Sequence, residues 1–222
     1  QNVHAKDIVL NLINRFGVNE LLGCSVEIVG EVADTLTLDE RITISSMATE
    51  LGAIAIFFWP DKKIIEYCES KAGKKIVAIV ADKDSEYSNI YQLDMSKFEP
   101  MVSLPGNPGN TVPLKKVKGD RIDSVFIGSC TNGRMEDMQT AAKILANKKI
   151  ADHVVLKIVP STDEIWNMCL EKGIIDMFKK AGALVGNAGC AGCAAGQIGQ
   201  NGPGEVTIST GNRNFKGKQG KG

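Results

Sequence analysis

Apolar segments of strand length alternate with amphipathic segments of helix length along most of the chain. Residues 53–58 are apolar at every position, which is typical of a parallel strand covered on both faces. In the first half, the expected helices cover residues 3–16, 38–51 and 62–71, and the expected strands cover residues 24–29, 53–58 and 75–81. Alternation of this kind predicts an α/β fold built on parallel strands.

A segment rich in proline and glycine interrupts the alternation at residues 94–118 and predicts an irregular crossing between two domains. Beyond it, strands are expected at residues 124–129, 153–159 and 205–210, and helices at 134–147, 163–171 and 173–180. We therefore expect two three-layer α/β domains with mostly parallel sheets. The first covers residues 1–118, including the crossing, and the second covers residues 119–222.

The overall composition excludes several classes of partner. The chain has 26 Lys and Arg against 26 Asp and Glu, so its charge predicts no nucleic acid and no membrane surface as a partner. The longest apolar run, residues 53–59, is too short to cross a bilayer. No signal-peptide pattern opens the sequence. Six cysteines without signs of secretion predict reduced thiols and a cytoplasmic location.

Three of the cysteines stand in patterns that indicate chemistry. Cys130 lies where an expected strand meets an expected helix, and α/β sheets bind ligands at such points. Cys190 and Cys193 form a C-x-x-C pair among small residues. An iron–sulfur cluster held by only three thiolates would keep one iron open for Lewis-acid chemistry. The spacing alone also allows a redox pair, half of a zinc site, or small core residues. The remaining cysteines are expected in the core: Cys24, Cys68 and Cys169.

Three motifs occur in order in the C-terminal half: G-S-C-T-N-G-R at residues 128–134, A-G-C-A-G-C at 188–193, and S-T-G-N-R-N-F-K-G-K-Q-G at 209–220. Together they resemble the aconitase and 3-isopropylmalate dehydratase family. The segment R-I-T-I-S-S-M-A-T-E-L-G-A at residues 41–53 resembles the part of that family before its cluster-bearing domain. The resemblance covers nearly the whole chain. It implies aconitase-like domains and a [4Fe–4S] cluster held by Cys130, Cys190 and Cys193.

The resemblance also implies roles for five other residues. Arg213 is expected to bind a substrate carboxylate, and Lys218 stands where the family has a second arginine, so it keeps the charge but lacks the planar fork. Asn132 and Asn212 are expected beside the cluster, and Glu50 is a candidate active-site carboxylate that helps to hold an iron-bound water. Without the resemblance, the ordinary prediction is a helix cap for Asn132 and a solvated surface position for Arg213 and Glu50.

The function implied is that of a hydro-lyase that isomerises a small hydroxy-polycarboxylate by removing and re-adding water. The expected protein is a large subunit that acts on 3-isopropylmalate in leucine biosynthesis, with homoaconitate or dimethylmalate as alternative substrates. A preceding domain with catalytic histidines, the final helices, and a small swivelling-domain subunit with the serine base are expected outside this sequence. The chain alone is therefore expected to be inactive. Two other classes remain open: a binding or regulatory module without a cluster, and a thiol or zinc protein that uses only Cys190 and Cys193.

The segment that carries the C-x-x-C pair is rich in glycine, and glycine loses much conformational freedom on ordering. We expect nothing apolar in residues 186–203 to hold this loop to the core. Metal binding would then order the loop, as ligand binding couples to folding elsewhere. In a fragment purified in air, the cluster is expected to be lost and the three sulfurs to lie too far apart to share one.

Overall fold

The computed structural model describes residues 3–194 and 196–220. These residues pack around two main hydrophobic cores, and the part of the chain around each core is called a unit below. The N-terminal unit is built from short helices around a pair of parallel strands. Its elements are α1 (Ala5–Phe16), β1 (Ser25–Ile28), α2 (Glu31–Thr35), α3 (Leu38–Ser46), a 3₁₀ turn (Ala48–Leu51), β2 (Ala55–Phe58) and α4 (Lys62–Ala72). β1 and β2 pair in parallel from Ser25–Ala55 to Ile28–Phe58.

The core of the N-terminal unit lies on the apolar side of α1. Val9 and Ile13 are completely or almost completely buried there, together with Ile44 and Met47 from the α3 region. This helix begins where the Asp7 carboxylate accepts a hydrogen bond from the His4 backbone N–H at 3.0 Å, and such a contact satisfies one of the free amides at a helix start. The alternation of apolar residues at helical spacing therefore gives the buried side of α1.

The helix expected at residues 38–51 ends earlier in the structure. α3 stops at Ser46, and the chain then tightens into the 3₁₀ turn that contains Glu50. Gly52 follows in the left-handed region, with φ of 78°. A Cβ at this position would lie 2.4 Å from the Val18 carbonyl oxygen, so both the turn and the packing require glycine.

Two further regions differ from the sequence prediction. The strand expected at residues 75–81 is wrong: no strand is assigned there, and Val77 and Ile79 are more than four-fifths exposed. An apolar run becomes a strand only when a neighbouring strand accepts its hydrogen bonds, and no described strand pairs with it. The crossing at residues 94–118 contains an antiparallel pair that the prolines and glycines conceal, β3 (Met101–Ser103) and β4 (Thr111–Pro113).

The C-terminal unit has one parallel sheet, with helices packed around it. Its elements are β5 (Ser124–Gly128), α5 (Ser129–Asn132), α6 (Met135–Leu145), β6 (Val155–Val159), α7 (Asp163–Glu171), α8 (Ile174–Ala181), β7 (Leu184–Val185), a 3₁₀ turn (Ala191–Cys193) and β8 (Thr207–Ser209). The strand order is β7-β6-β5-β8, and all neighbouring pairs are parallel. The predicted α/β class with mostly parallel sheets is therefore confirmed.

The helices cover this sheet through a second apolar core. Phe178 on α8, Met138 on α6 and Cys169 on α7 are fully buried against Ile158 of β6. β5 lies inside the sheet between β6 and β8, so its carboxyl end meets segments from both sides. Among the described residues, no helix is both long enough and apolar enough to cross a membrane.

Candidate functional site at the junction of the two units

The G-S-C-T-N-G motif makes a strained turn at the carboxyl end of β5. Gly128 has φ of 143°, and a Cβ on it would lie 2.0 Å from the Val159 carbonyl oxygen. A Cβ on Gly133 would lie 2.7 Å from the same oxygen. Between these glycines, Ser129 has φ of 76° and a buried hydroxyl without a hydrogen-bond partner among the described residues. Strain of this kind concentrates at functional sites. This turn places Cys130 just beyond the carboxyl end of β5.

The other two motif cysteines, Cys190 and Cys193, both act on the Cys130 thiol. Burial raises the pKa of Cys130, and the charges of Cys190 and Cys193 raise it further, against a smaller opposing effect of Arg213. Because α5, which carries Cys130, also contacts the turn Ala191–Cys193, the three cysteines lie in one region of the fold.

The loop that carries the C-x-x-C pair is anchored to the sheet. Ala191, with φ of 48° and 1% exposure, packs against Phe126 and Val159, and Ile198 packs against the same group. The expectation that nothing apolar in residues 186–203 holds this loop is therefore wrong. The sequence did not reveal this anchor, because one alanine and one isoleucine among glycines carry no periodic signal.

Close backbone contacts support the same loop. A Cβ on Gly192 would lie 2.9 Å from the Gly199 carbonyl oxygen, and a Cβ on Gly199 would lie 2.9 Å from the Phe126 ring. The Gln200 side-chain amide donates to the Gly192 carbonyl at 2.8 Å, and the Cys193 N–H donates to the Cys190 carbonyl at 3.2 Å. The glycines therefore allow the two cysteines to turn tightly above Phe126.

The donor set suits a thiolate-bound cluster better than a single ion. All six cysteines are free thiols, with Cys130 and Cys190 exposed and Cys193 half-buried. In the part of the chain that the structure describes, no three His, Cys, Asp or Glu side chains are grouped so that they could hold one metal ion. In a cubane, each thiolate binds a different iron, so its sulfurs need not converge on one point. Three neighbouring thiols without carboxylate or imidazole ligands fit that chemistry.

The third motif brings Asn212 and Arg213 beside the first. Asn212 is 9% exposed, and its Oδ1 accepts a hydrogen bond from Thr131 Oγ1 at 2.6 Å. Asn132 does not cap a helix; it is the last residue of α5. Its Oδ1 lies 3.4 Å from the ammonium of Lys6, and its amide donates to Asp137, which partly offsets the effect of burial in raising the pKa of that carboxyl.

Glu50 and Arg213 form an ion pair between the two units. Arg213 Nε lies 3.2 Å from Glu50 Oε1, and the Glu50 side chain is only 2% exposed, whereas that of Arg213 is 45% exposed. Thr49 Oγ1 donates to the other carboxylate oxygen at 3.0 Å. Glu50 is thus not the solvated surface residue that its helix position predicts. Lys218 is exposed, and its ammonium makes none of the hydrogen bonds or ion pairs found among the described side chains.

Other contacts hold the junction together, and no pattern along the sequence indicates them. Thr43 Oγ1 donates to the Thr131 carbonyl at 2.7 Å, and Arg134 Nη2 lies 2.8 Å from Asp39 Oδ1. Lys6 reaches across to the third motif, although at the start of an amphipathic helix it looks like an ordinary polar residue. The role of such residues becomes visible only in the folded structure, where the two units lie against each other.

Known proteins resemble this chain over nearly its whole length. The model of the aconitase family (aconitate hydratase) matches residues 1–121 and 115–222. A probable 3-isopropylmalate dehydratase large subunit of Methanothermobacter thermautotrophicus is 40% identical over 99% of this chain and 52% of its own length. The 3-isopropylmalate dehydratase large subunit of Picrophilus torridus is 41% identical over 99% of this chain and 53% of its own.

A probable methanogen homoaconitase large subunit of Methanothermobacter thermautotrophicus is 37% identical, again over 99% of this chain and 51% of its own length. The chain thus spans about half the length of the curated relatives that it matches. The family match covers both units, and the three cysteines, Asn212 and Arg213 lie in one region of the fold. This chain belongs to the aconitase family.

Proposed function

We propose that this chain is the cluster-bearing part of a [4Fe–4S] hydro-lyase that isomerises 3-isopropylmalate by dehydration and rehydration. One observation carries the proposal. Cys130, the C-x-x-C turn and the Arg213–Glu50 ion pair belong to segments up to 163 residues apart in sequence, and they lie at one junction. The names of the relatives, which are 3-isopropylmalate dehydratase large subunits, support the reaction and the substrate.

Cys130, Cys190 and Cys193 are the residues proposed to hold the cluster, and two units, residues 1–118 and 119–222, are proposed to form the walls of its site. When bound, the cluster supplies an iron without a protein thiolate, which is a Lewis acid for the departing hydroxyl group. The chain's own contribution is to hold three thiolates on rigid backbone. The tight packing at Gly128 and Gly133 fixes the backbone position of Cys130. The packing of Ala191 against the sheet fixes the turn that carries Cys190 and Cys193.

Arg213 is proposed to bind a carboxylate of the substrate. Its guanidinium is nearly half exposed, while its Nε is fixed by the buried Glu50, so its two terminal nitrogens are the groups left to face a ligand. Lys218 is proposed as a second, single-point contact for an anionic group. Glu50 aligns the arginine, and its carboxylate is the candidate group for orienting water in the site. Asn132 and Asn212 are proposed to support the cluster.

We propose that the whole enzyme contains more than these residues, since this chain spans only about half the length of the relatives that it matches. Its relatives are named large subunits. We propose a small subunit as the partner that provides the catalytic base, and we propose that the assembled enzyme is cytoplasmic. Because catalytic groups that act as a unit lose nearly all rate enhancement when some are removed, we expect no isomerisation of 3-isopropylmalate by this chain alone. Turnover at the rate of a complete enzyme, without added subunits, would contradict this assignment.

Because one relative is named a homoaconitase, homoaconitate is the second candidate substrate. The two are separated by assaying the complete enzyme, assembled with its remaining parts, on 3-isopropylmalate and on homoaconitate under the same conditions. A preference for homoaconitate would move the proposal to that substrate and leave the cluster assignment intact.

Anaerobic reconstitution with iron and sulfide tests the cluster itself. We expect about four irons per chain and a broad charge-transfer absorbance toward the blue end of the visible spectrum. The variants Cys130→Ser, Cys190→Ser and Cys193→Ser should each abolish it. Cys68→Ser and Cys169→Ser are the matched controls and should leave it unchanged. One zinc per chain, or no metal at all, would favour a thiol, zinc or regulatory protein instead.

A further inference from the structure

Lys6 extends from the first turn of α1 into the C-terminal unit. Its ammonium donates to the Thr210 carbonyl at 2.6 Å, to the Gly211 carbonyl at 2.8 Å and to Asn212 Oδ1 at 2.9 Å. Asn132 Oδ1 lies slightly farther away, at 3.4 Å. An ammonium has three N–H donors, so these contacts use its full capacity. One lysine thus joins the N-terminal unit to the first and third motifs.

The ammonium of Lys6 is partly shielded from water, and its three closest partners are neutral oxygens. Burial lowers the pKa of Lys6 to about 8, while the charges of Cys193, Glu50, Asp137 and Cys130 act in the opposite direction. The group therefore remains mostly charged at neutral pH. A charged group that has lost part of its hydration is stabilised by hydrogen bonds and by nearby opposite charge. Here, no carboxylate makes a direct ion pair with Lys6 within the described residues.

The contacts of Lys6 decide which way the Asn212 amide faces. Lysine only donates, so the amide must present its oxygen to the ammonium. Thr131 Oγ1 donates to the same oxygen at 2.6 Å, which uses its second lone pair. The NH₂ group therefore lies on the other side of the amide, and no acceptor among the described residues is bonded to it. Gly211, next along the chain, lies at the Cys193 thiol, since a Cβ on it would be 3.7 Å from Sγ.

We propose that Lys6 is a positioning residue for the cluster: it holds the turn after β8 against α5, aims the Asn212 NH₂ group toward the thiolates, and places a positive charge beside an anionic centre. The inference rests on the proposed function. Hydrogen bonds to cluster sulfurs and nearby charge set the reduction potential of an iron–sulfur centre. Residues that orient a metal site in this indirect way typically change metal affinity by about 10–100-fold when they are replaced.

The test compares reconstituted Lys6→Met with Lys71→Met. Lys71 is the matched control because its ammonium also bridges the two units, to Glu164 at 2.8 Å, without contacting the three motifs. For Lys6→Met we expect iron to be lost to a chelator with an apparent affinity about 10–100-fold weaker, and the reduction potential of the remaining cluster to become more negative. Lys71→Met should retain the wild-type iron affinity and potential.

Two further variants test the charge and the hydrogen-bond donors, and they cover a failure of Lys6→Met to fold. Lys6→Arg keeps the charge and donors, and should recover much of the iron affinity. Asn212→Asp keeps an acceptor for Lys6, removes the NH₂ group and adds a negative charge; it should fold, and both the lost donor and the added charge should make its potential more negative. Wild-type affinity and potential in Lys6→Met would overturn the inference. If Lys6→Met does not fold, an unchanged potential in Asn212→Asp would overturn it. A wild-type chain that takes up no iron would refute the proposed function and this inference with it.

Discussion

Replacing Gly128 by alanine tests whether the close approach of β5 and β6 is what places Cys130. These strands pair in parallel up to Gly128 and Val159. The new Cβ would lie 2.0 Å from the Val159 carbonyl oxygen and 2.9 Å from the Val159 amide nitrogen. Both obstacles are backbone atoms, so no side-chain rotation relieves the contact. The strands must separate by about 1.4 Å to reach ordinary van der Waals contact at 3.4 Å.

Two costs add at this position. A non-glycine residue held at φ of 143° loses about 1–3 kcal/mol to backbone strain. Forcing extra volume into a packed interior costs about 1–3 kcal/mol more. The expected loss in the free energy of unfolding is therefore about 2–6 kcal/mol, which is a large share of the roughly 5–15 kcal/mol typical of a folded domain. Urea unfolding of the metal-free chain, followed by far-UV circular dichroism, measures it.

Gly119→Ala is the matched control. Its φ of 102° is also in the left-handed region, but a Cβ there meets nothing within 4 Å. It should lose only the strain cost of about 1–3 kcal/mol. Gly128→Ala should in addition take up less iron at temperatures where it remains folded, because Cys130 moves with the strand end. Equal losses in the two variants would show that the Val159 contact does not govern this turn.

Three more outcomes follow from the packing and charges described above. Phe178→Ala should lower the free energy of unfolding by about 3–5 kcal/mol in thermal or urea unfolding, because this side chain is fully buried in the C-terminal core; a loss below 1 kcal/mol would contradict that packing. The Ile64 N–H and the Arg41 charge lower the pKa of the Asp61 carboxyl in the folded protein. The ionised carboxylate therefore stabilises the fold fully above the ordinary pKa of 3.8, and this stabilisation is lost as pH falls through the lower pKa of the folded state. Asp61→Asn, which keeps the helix cap, should therefore be less stable than the wild type at neutral pH, with the gap closing in acid; a gap that does not depend on pH would refute the role of charge. Arg213→Met should cost about 1–3 kcal/mol because it leaves the buried Glu50 carboxylate without its cation, and adding Glu50→Gln should recover part of that loss in a double-mutant cycle.

The features that the sequence predicted correctly are those that depend on local periodicity. The end of α1 at Phe16, the parallel strands of the second unit and the position of Cys130 beyond a strand end all follow from spacing along a few residues. The relation between Glu50 and Arg213 does not, because each looks like a solvated residue until the chain brings them together from 163 residues apart. The resemblance to a known family indicated both residues, but it did not indicate that they pair with each other.

The errors in the prediction have the same origin. Residues 75–81 have the composition of a strand, but pairing, which composition does not encode, decides whether a strand forms. Glycine and proline conceal the β3–β4 pair, since both residues are typical of turns. The anchor of the C-x-x-C loop depends on how Ala191 fits over Phe126 and Val159, and shape complementarity of this kind is visible only in three dimensions.

The crossing at residues 94–118 has a practical consequence for anyone who wishes to divide this protein. Its β3 strand is tied to α1 through the Met101 N–H, which donates to Asp7 Oδ1 at 2.9 Å. Its turn is tied to the other unit, since Asn214 Nδ2 donates to the Leu104 carbonyl at 2.6 Å. Expressing either half alone would expose the surface that the other half now covers. The hydrogen bonds to Met101 and Leu104 would then be broken, and water would have to bond to the freed groups. A protease that nicks this segment should leave two pieces that stay together on a gel-filtration column and separate only in denaturant.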